Sequence, residues 1–254
     1  MSEAIGLKPS EVAKWNAVAQ QDLDYHRRQF ENPYRSTVRL GQFIKSLVAD
    51  AHGEALDVAC GAGANIYYLA QLMPGLRWTG FDVAGDVLFK VASPFLIARN
   101  LEVEFVAGDF YRLGSYFGDK KFDLVLLTQT LLVVADYETL LDQLMAVSKG
   151  WLVLSSLFTD FKVDVRTAAL DYTWPEKVQG PYHYNVYSID RFRAACEARG
   201  CKEFFTQDFE IDVDLPVSAG GGFGTYTRKL EDGTRLQFTG PIFQPWKFVG
   251  VRMH

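Results

Sequence analysis

The stretch Ala55-Leu56-Asp57-Val58-Ala59-Cys60-Gly61-Ala62-Gly63-Ala64-Asn65, followed by Gly80-Phe81-Asp82-Val83, sets the fold of this chain. The apolar run at 56–59 suits a buried parallel strand. Gly61 and Gly63 let the backbone turn tightly and approach a ligand with no Cβ in the way. Asp82 closes the next strand 19 residues after Gly63, close to the ~20-residue offset at which an acid takes both hydroxyls of a ribose. Strand, glycine turn, helix, strand and acid together imply a bound nucleoside.

The missing residues narrow that ligand. A dinucleotide fingerprint needs a third glycine for close packing of helix on strand, and Ile66 stands at that position. No G-x-x-x-x-G-K-[ST] segment supplies the lysine and hydroxyl that a triphosphate and its metal require. A ligand with a ribose and no phosphate fits better.

With these residues the chain resembles the class I S-adenosylmethionine-dependent methyltransferases. Their first motif, an acid before a glycine-rich turn, is matched by Asp57-Val58-Ala59-Cys60-Gly61-Ala62-Gly63, with Ala59 in place of the first glycine. The second acid is Asp82, the third segment Gly108-Asp109-Phe110, and the fourth strand Phe122-Asp123-Leu124-Val125-Leu126-Leu127. The resemblance covers residues 40–160. It implies a Rossmann-like α/β fold: a mostly parallel sheet with an antiparallel last strand, helices on both faces, an N-terminal helical cap and a C-terminal β-hairpin. It further implies S-adenosylmethionine as cofactor, S-adenosylhomocysteine as product, and a cofactor set of Asp57, Ala59, Gly61, Gly63, Asn65, Asp82, Val83, Asp109, Phe110 and Thr128. Segments around Gly224-Thr225-Tyr226-Thr227, Thr239-Gly240-Pro241 and Pro245-Trp246-Lys247-Phe248 are similar in flavour to methyltransferases found with bacterial polysaccharide genes. That similarity implies a glycan or specialised-metabolite precursor as acceptor.

With 254 residues, 48% of them hydrophobic, the chain has ample material for one methyltransferase domain. Within it, residues 1–53 form the cap, 54–158 the cofactor core, and 159–254 the substrate lid, hairpin and last strands. A net charge of −5 argues against a broad grip on nucleic acid, although Arg27, Arg28, Arg35 and Arg39 crowd one segment. Cys60, Cys196 and Cys201 form neither an even disulfide set nor a metal-ligand spacing, so no metal is expected. With no apolar leader and no membrane-spanning run, the expected setting is the cytoplasm and the expected partner a small molecule, with no membrane and with pairing into a homodimer open.

Along the chain, a helix capped by Ser10 begins at Glu11, and a second follows the Asn32-Pro33-Tyr34 break. Strands near 55–59, 76–81, 103–106, 122–127 and 151–155 alternate with helices at 64–72, 85–99 and 136–148, the second kinked or divided by Pro94. Residues 159–187 have no clean period, and long irregular segments tend to be functional. A helix from Ser188, a strand over 202–211, a hairpin pairing 225–229 with 235–239 and a last strand at 246–252 complete the pattern.

For an oxygen acceptor a general base helps, and His183, within Tyr182-His183-Tyr184-Asn185, is the leading catalytic candidate, with His26 as its control. Tyr25, Tyr34, Arg35, Gln129, Trp174, Tyr182 and Tyr184 are the substrate-pocket candidates; each also has a plain reading as lid packing or solvated surface. O-methylation is favoured, with N-methylation of a small amine or heterocycle as the alternative, and Thr128-Gln129 lacks the Asn/Asp-Pro-Pro-aromatic signature of enzymes that methylate nucleic-acid amines. Two other classes stay open: a nicotinamide-dependent oxidoreductase, and a noncatalytic cofactor-binding module working through a partner.

Overall fold

The computed structural model describes residues 6–48, 50–134, 136–173 and 181–253. Five strands, β1 (Gly53–Val58), β2 (Leu76–Asp82), β3 (Val103–Ala107), β4 (Phe122–Thr128) and β5 (Ser148–Thr159), pair in parallel in the order β3-β2-β1-β4-β5. Beyond β5 lies β7 (Trp246–Arg252), antiparallel to it, and then β6 (Glu203–Asp208) at the edge, antiparallel to β7. The strand order therefore reverses between β1 and β4. Such a switch point opens a crevice at the strands' C-terminal ends.

Period-two alternation sends successive side chains to opposite faces. Leu56, Val58, Val125, Leu127, Leu152 and Leu154 join one core with helix α6 (Tyr137–Val147) and helix α7 (Ile189–Ala198). Ala55, Leu124, Leu126 and Val153 face the other way, against helix α3 (Arg35–Leu47) and helix α4 (Ala64–Leu72). Leu40, Phe43 and Ile44 fix α3 there, and burying side chains of that size stabilises by roughly 1.5–3 kcal/mol each.

Helices α1 (Pro9–Gln21) and α2 (Leu23–Glu31) divide at Asp22, whose carboxylate accepts the Tyr25 N–H at 2.7 Å. Phe30 pins α2 down, stacking on Phe95 with ring centroids 4.6 Å apart and meeting Tyr67 edge-on at 5.3 Å.

Several expectations need adjustment. Helix α1 starts at Pro9 with Lys8 as its N-cap residue, so Ser10 lies inside it. Pro94 sits within one continuous helix, α5 (Gly85–Ala98), and does not divide it. β5 runs further than the apolar run suggested, because Leu157 and Phe158 stay buried and pair onward, with Trp246 and Tyr187. Within 159–187 the described residues include two short paired pieces, Ala168–Ala169 and Tyr182–His183. The hairpin and the last strand match expectation residue for residue.

Candidate active site

At the end of β1 the chain turns through three residues in the left-handed region: Ala59 at φ 56°, Gly61 at 58° and Gly63 at 86°. Alanine tolerates that region poorly, so the surrounding bonds must hold it. They do: Cys60 N–H donates to the Phe81 carbonyl at 3.1 Å, Gly63 N–H to the Cys60 carbonyl at 3.0 Å, and Gly61 N–H to Asp82 Oδ2 at 2.8 Å. Asp82 Oδ1 accepts the Ala84 N–H at 2.8 Å, so one carboxylate ties the glycine turn to the start of α5. Burial raises its pKa, against those two amide bonds. Each oxygen still has a lone pair for a ribose hydroxyl.

Asp57, one register step behind the turn, is fully buried, and neither of its oxygens has a hydrogen-bond partner among the described residues. Burial first, and the neighbouring Asp82 charge second, push its pKa up to about 8. A buried carboxylate without a partner is costly, and this one stands behind the floor of a ligand crevice.

The cavity over the turn has two sides. Its floor is Ala59, Cys60, Gly61, Ala62, Ala64, Asn65 and Thr128. Its roof comes from α2 and the start of α3: Tyr25, His26, Gln29, Tyr34, Ser36 and Thr37, with Gln129 at the rim. Thr37 donates to Asn65 Oδ1 at 2.7 Å, and Asn65 Nδ2 donates to Thr128 at 3.0 Å. Gln129, at φ 54°, reaches Ser36 Oγ at 3.2 Å. The start of α4 has no side-chain cap, so its first amide groups face the floor without an intrahelical acceptor. Burial pushes the Tyr25 and Tyr34 phenols and the Cys60 thiol up, and pushes the His26 imidazole down against the pull of Asp22.

The structure thus brings Ala59, Gly61, Asn65, Thr128, Gln129, Tyr25 and Tyr34 together around one cavity. Asp57, Gly63, Asp82 and Val83 lie beside or behind it. Asp109 and Phe110, just past β3, do not line the cavity: Asp109 Oδ1 accepts the Tyr111 N–H at 2.9 Å and its Oδ2 the Leu7 N–H at 2.7 Å, and Phe110 packs edge-on against Tyr111. Arg35 is drawn off to Asp212 at 3.3 Å. Tyr184 stacks on Phe223, and Tyr182 takes Lys14 over its ring. His183 does not line the cavity: its Nδ1 contacts the Thr167 carbonyl at 2.9 Å. Trp174 lies outside the described residues.

Sequence reasoning passed over His26, Gln29, Ser36 and Thr37 as site residues. The signal was present in part, since Tyr25, His26 and Gln29 share one face of a helix at i, i+1 and i+4. What aims that face at the turn is the break at Asp22.

Residues 55–150 match the family model described as a methyltransferase domain. Among solved structures, the chain is similar to the 1,6-didemethyltoxoflavin-N1-methyltransferase of Burkholderia thailandensis, at 14% identity and TM-score 0.58, covering 99% of this chain and 92% of that one. It is also similar to the YcgJ protein of Bacillus subtilis, at 16% identity and TM-score 0.56 over 87% of this chain and 100% of that one. Magnesium protoporphyrin IX methyltransferase from Synechocystis matches at 12% identity and TM-score 0.54, over 95% and 93%. A curated relative, ribosomal RNA small subunit methyltransferase C of Yersinia enterocolitica, is 37% identical over 59 residues, which are 23% of this chain. The chain spans 17% of that relative's length. Residues 55–150 thus carry a methyltransferase domain, and the chain has the Rossmann-like fold of these structures.

Proposed function

We propose that this protein transfers a methyl group from S-adenosylmethionine to a small-molecule acceptor. The observation that carries the reading is the pairing of a strained glycine turn, tied by Asp82, with the unpartnered carboxylate of Asp57 behind it. A cationic nucleoside answers both: a ribose for Asp82, and positive charge for a carboxylate that otherwise has to keep its proton. Asp109 and Phe110 would hold the adenine, and Asn65, Thr128 and the open start of α4 the amino-acid end. When bound, the cofactor supplies an electrophilic methyl group on a sulfonium.

Oxygen is the favoured acceptor atom, on a sugar or specialised-metabolite precursor. Among the described residues lining the cavity the polar groups are hydroxyls, amides and one imidazole, with no Asp, Glu, Lys or Arg side chain. That lining suits an uncharged, hydrogen-bonding acceptor better than a phosphate-bearing one. Nucleic acid is disfavoured because the crowded arginines are engaged: Arg27 with Asp24, Arg28 with Asp22, and Arg35 and Arg39 with Asp212. The second reading, N-methylation of a heterocycle, draws support from the toxoflavin-type neighbour. Titration calorimetry tests the core of the proposal. S-adenosylmethionine and S-adenosylhomocysteine should both bind, and folded protein that binds neither sinks it.

A further inference from the structure

The roof of the cavity assigns a proton acceptor for the reaction. We propose that His26, on α2, takes up the proton released by the acceptor, and that the acceptor is accordingly an uncharged molecule presenting a hydroxyl or ring N–H. This rests on the methyltransferase reading above.

Two ligands sharing this cavity divide it between floor and roof. The glycine turn, Asn65 and Thr128 on the floor serve the methyl donor, so the acceptor lies toward α2 and the start of α3. The imidazole of His26 faces the turn directly: a Cβ built on Gly61 would lie 3.8 Å from its Nδ1 and 3.9 Å from its Cε1. Tyr25 holds the ring edge-on, with centroids 5.1 Å apart.

Elimination among the lining side chains leaves His26. Gln29, Ser36, Thr37, Asn65, Thr128 and Gln129 do not titrate near neutrality. The phenols of Tyr25 and Tyr34 share a hydrogen bond and are held protonated by burial, and the Cys60 thiol is likewise pushed up. Among the described lining residues His26 carries the one imidazole, and its burial favours the neutral form that can accept a proton. The groups around it are Tyr25 on its own helix, Tyr34 beside Tyr25, Cys60 in the turn, and Asp22 at the start of α2, with Arg28 3.8 Å from Asp22.

In the balanced step, the acceptor oxygen or nitrogen forms its bond to the methyl carbon. The electron pair of the broken carbon–sulfur bond stays on sulfur as the neutral thioether, and the acceptor's proton passes to an imidazole nitrogen of His26. The resulting imidazolium discharges to solvent after product leaves.

The test uses the two forms of the cofactor as charge probes on the intact protein. S-adenosylmethionine carries a sulfonium charge and S-adenosylhomocysteine does not. NMR titration of the four histidines, with His26 assigned through His26→Gln, should give a His26 midpoint about one pH unit lower in the S-adenosylmethionine complex. His52 and His183, which do not line the cavity, are the internal controls for the comparison of the two complexes. Equal His26 midpoints, with both ligands shown to bind by calorimetry, overturn the assignment and leave the methyltransferase reading standing. Failure of both ligands to bind overturns that reading and the assignment with it.

Discussion

The floor and the roof of the cavity are built on different principles. The floor is largely sequence-local: all of its residues but Thr128 fall between Ala59 and Asn65, with Asp57 and Gly63 beside or behind them, and their geometry follows from a strand, a positive-φ turn and a helix start. The roof depends on packing between segments far apart in the chain. Phe30 against Phe95 and Tyr67, and Thr37 to Asn65, place α2 and α3 over a turn that begins near residue 59. A motif therefore reports the floor of such a cavity well and its roof poorly.

Replacing Asp82 by Ala breaks the floor most completely. It removes the acceptor for Gly61 and Ala84 N–H and the proposed ribose partner, and charge-assisted hydrogen bonds contribute about 1.5–3 kcal/mol each. Affinity for both cofactor forms should fall about 10²-fold or more by calorimetry, and unchanged binding would mean that Asp82 does not hold the ribose.

Asp57→Asn gives a smaller effect with a definite pH signature. The folded protein keeps the Asp57 proton up to about pH 8, whereas an unfolded Asp loses it near pH ~4. Between those values the folded state binds more protons, so stability of the ligand-free protein falls as pH rises through this window. Thermal melts should show wild type losing on the order of 5 °C more than Asp57→Asn between pH 5 and 8. Parallel curves would show that Asp57 is already ionised and partnered. In wild type, binding of the cationic cofactor should also release a proton, read as a dependence of calorimetric heat on buffer ionisation enthalpy.

Ala59→Gly sharpens the floor without removing a contact. At φ 56° the alanine is strained, and relief by glycine, less its entropic cost, should raise Tm by roughly 1–3 °C. A lower Tm would point to packing of the Ala59 methyl against the core as the stronger effect. The smallest change is expected from His183→Ala, which removes the contact with the Thr167 carbonyl outside the cavity lining. S-adenosylhomocysteine affinity should stay within about twofold, given the ~1 kcal/mol scale of one such bond. A larger loss would show that the 181–188 segment closes over the cavity.

Legibility tracks the range of the interactions. The alternation of strands and helices, the hairpin register and the helix at 64–72 follow from periodicity and turn residues in the chain itself, the antiparallel β7 was implied by the resemblance, and the strand order came only from the sheet's long-range pairing. Tyr25 and Tyr34 were legible as aromatic candidates, yet nothing in the spacing shows that Asp22 ends one helix and starts another. His183 drew attention through its tyrosine neighbours, but bonds from Asn185 and Tyr187 to the main chain of Leu132 and Val134 anchor its segment beside β4's exit, with the imidazole turned to Thr167.

By itself, the sequence determined the strand, glycine turn and helix start that make the cavity floor, because alternation, glycine placement and acid spacing act over a few residues. Only the tertiary structure decided which histidine faces the cavity, that the crowded arginines are ion-paired, and that Asp57 has no hydrogen-bond partner among the described residues. Those outcomes depend on which distant surfaces pack together and how much water they exclude, and no local pattern of residues carries that information.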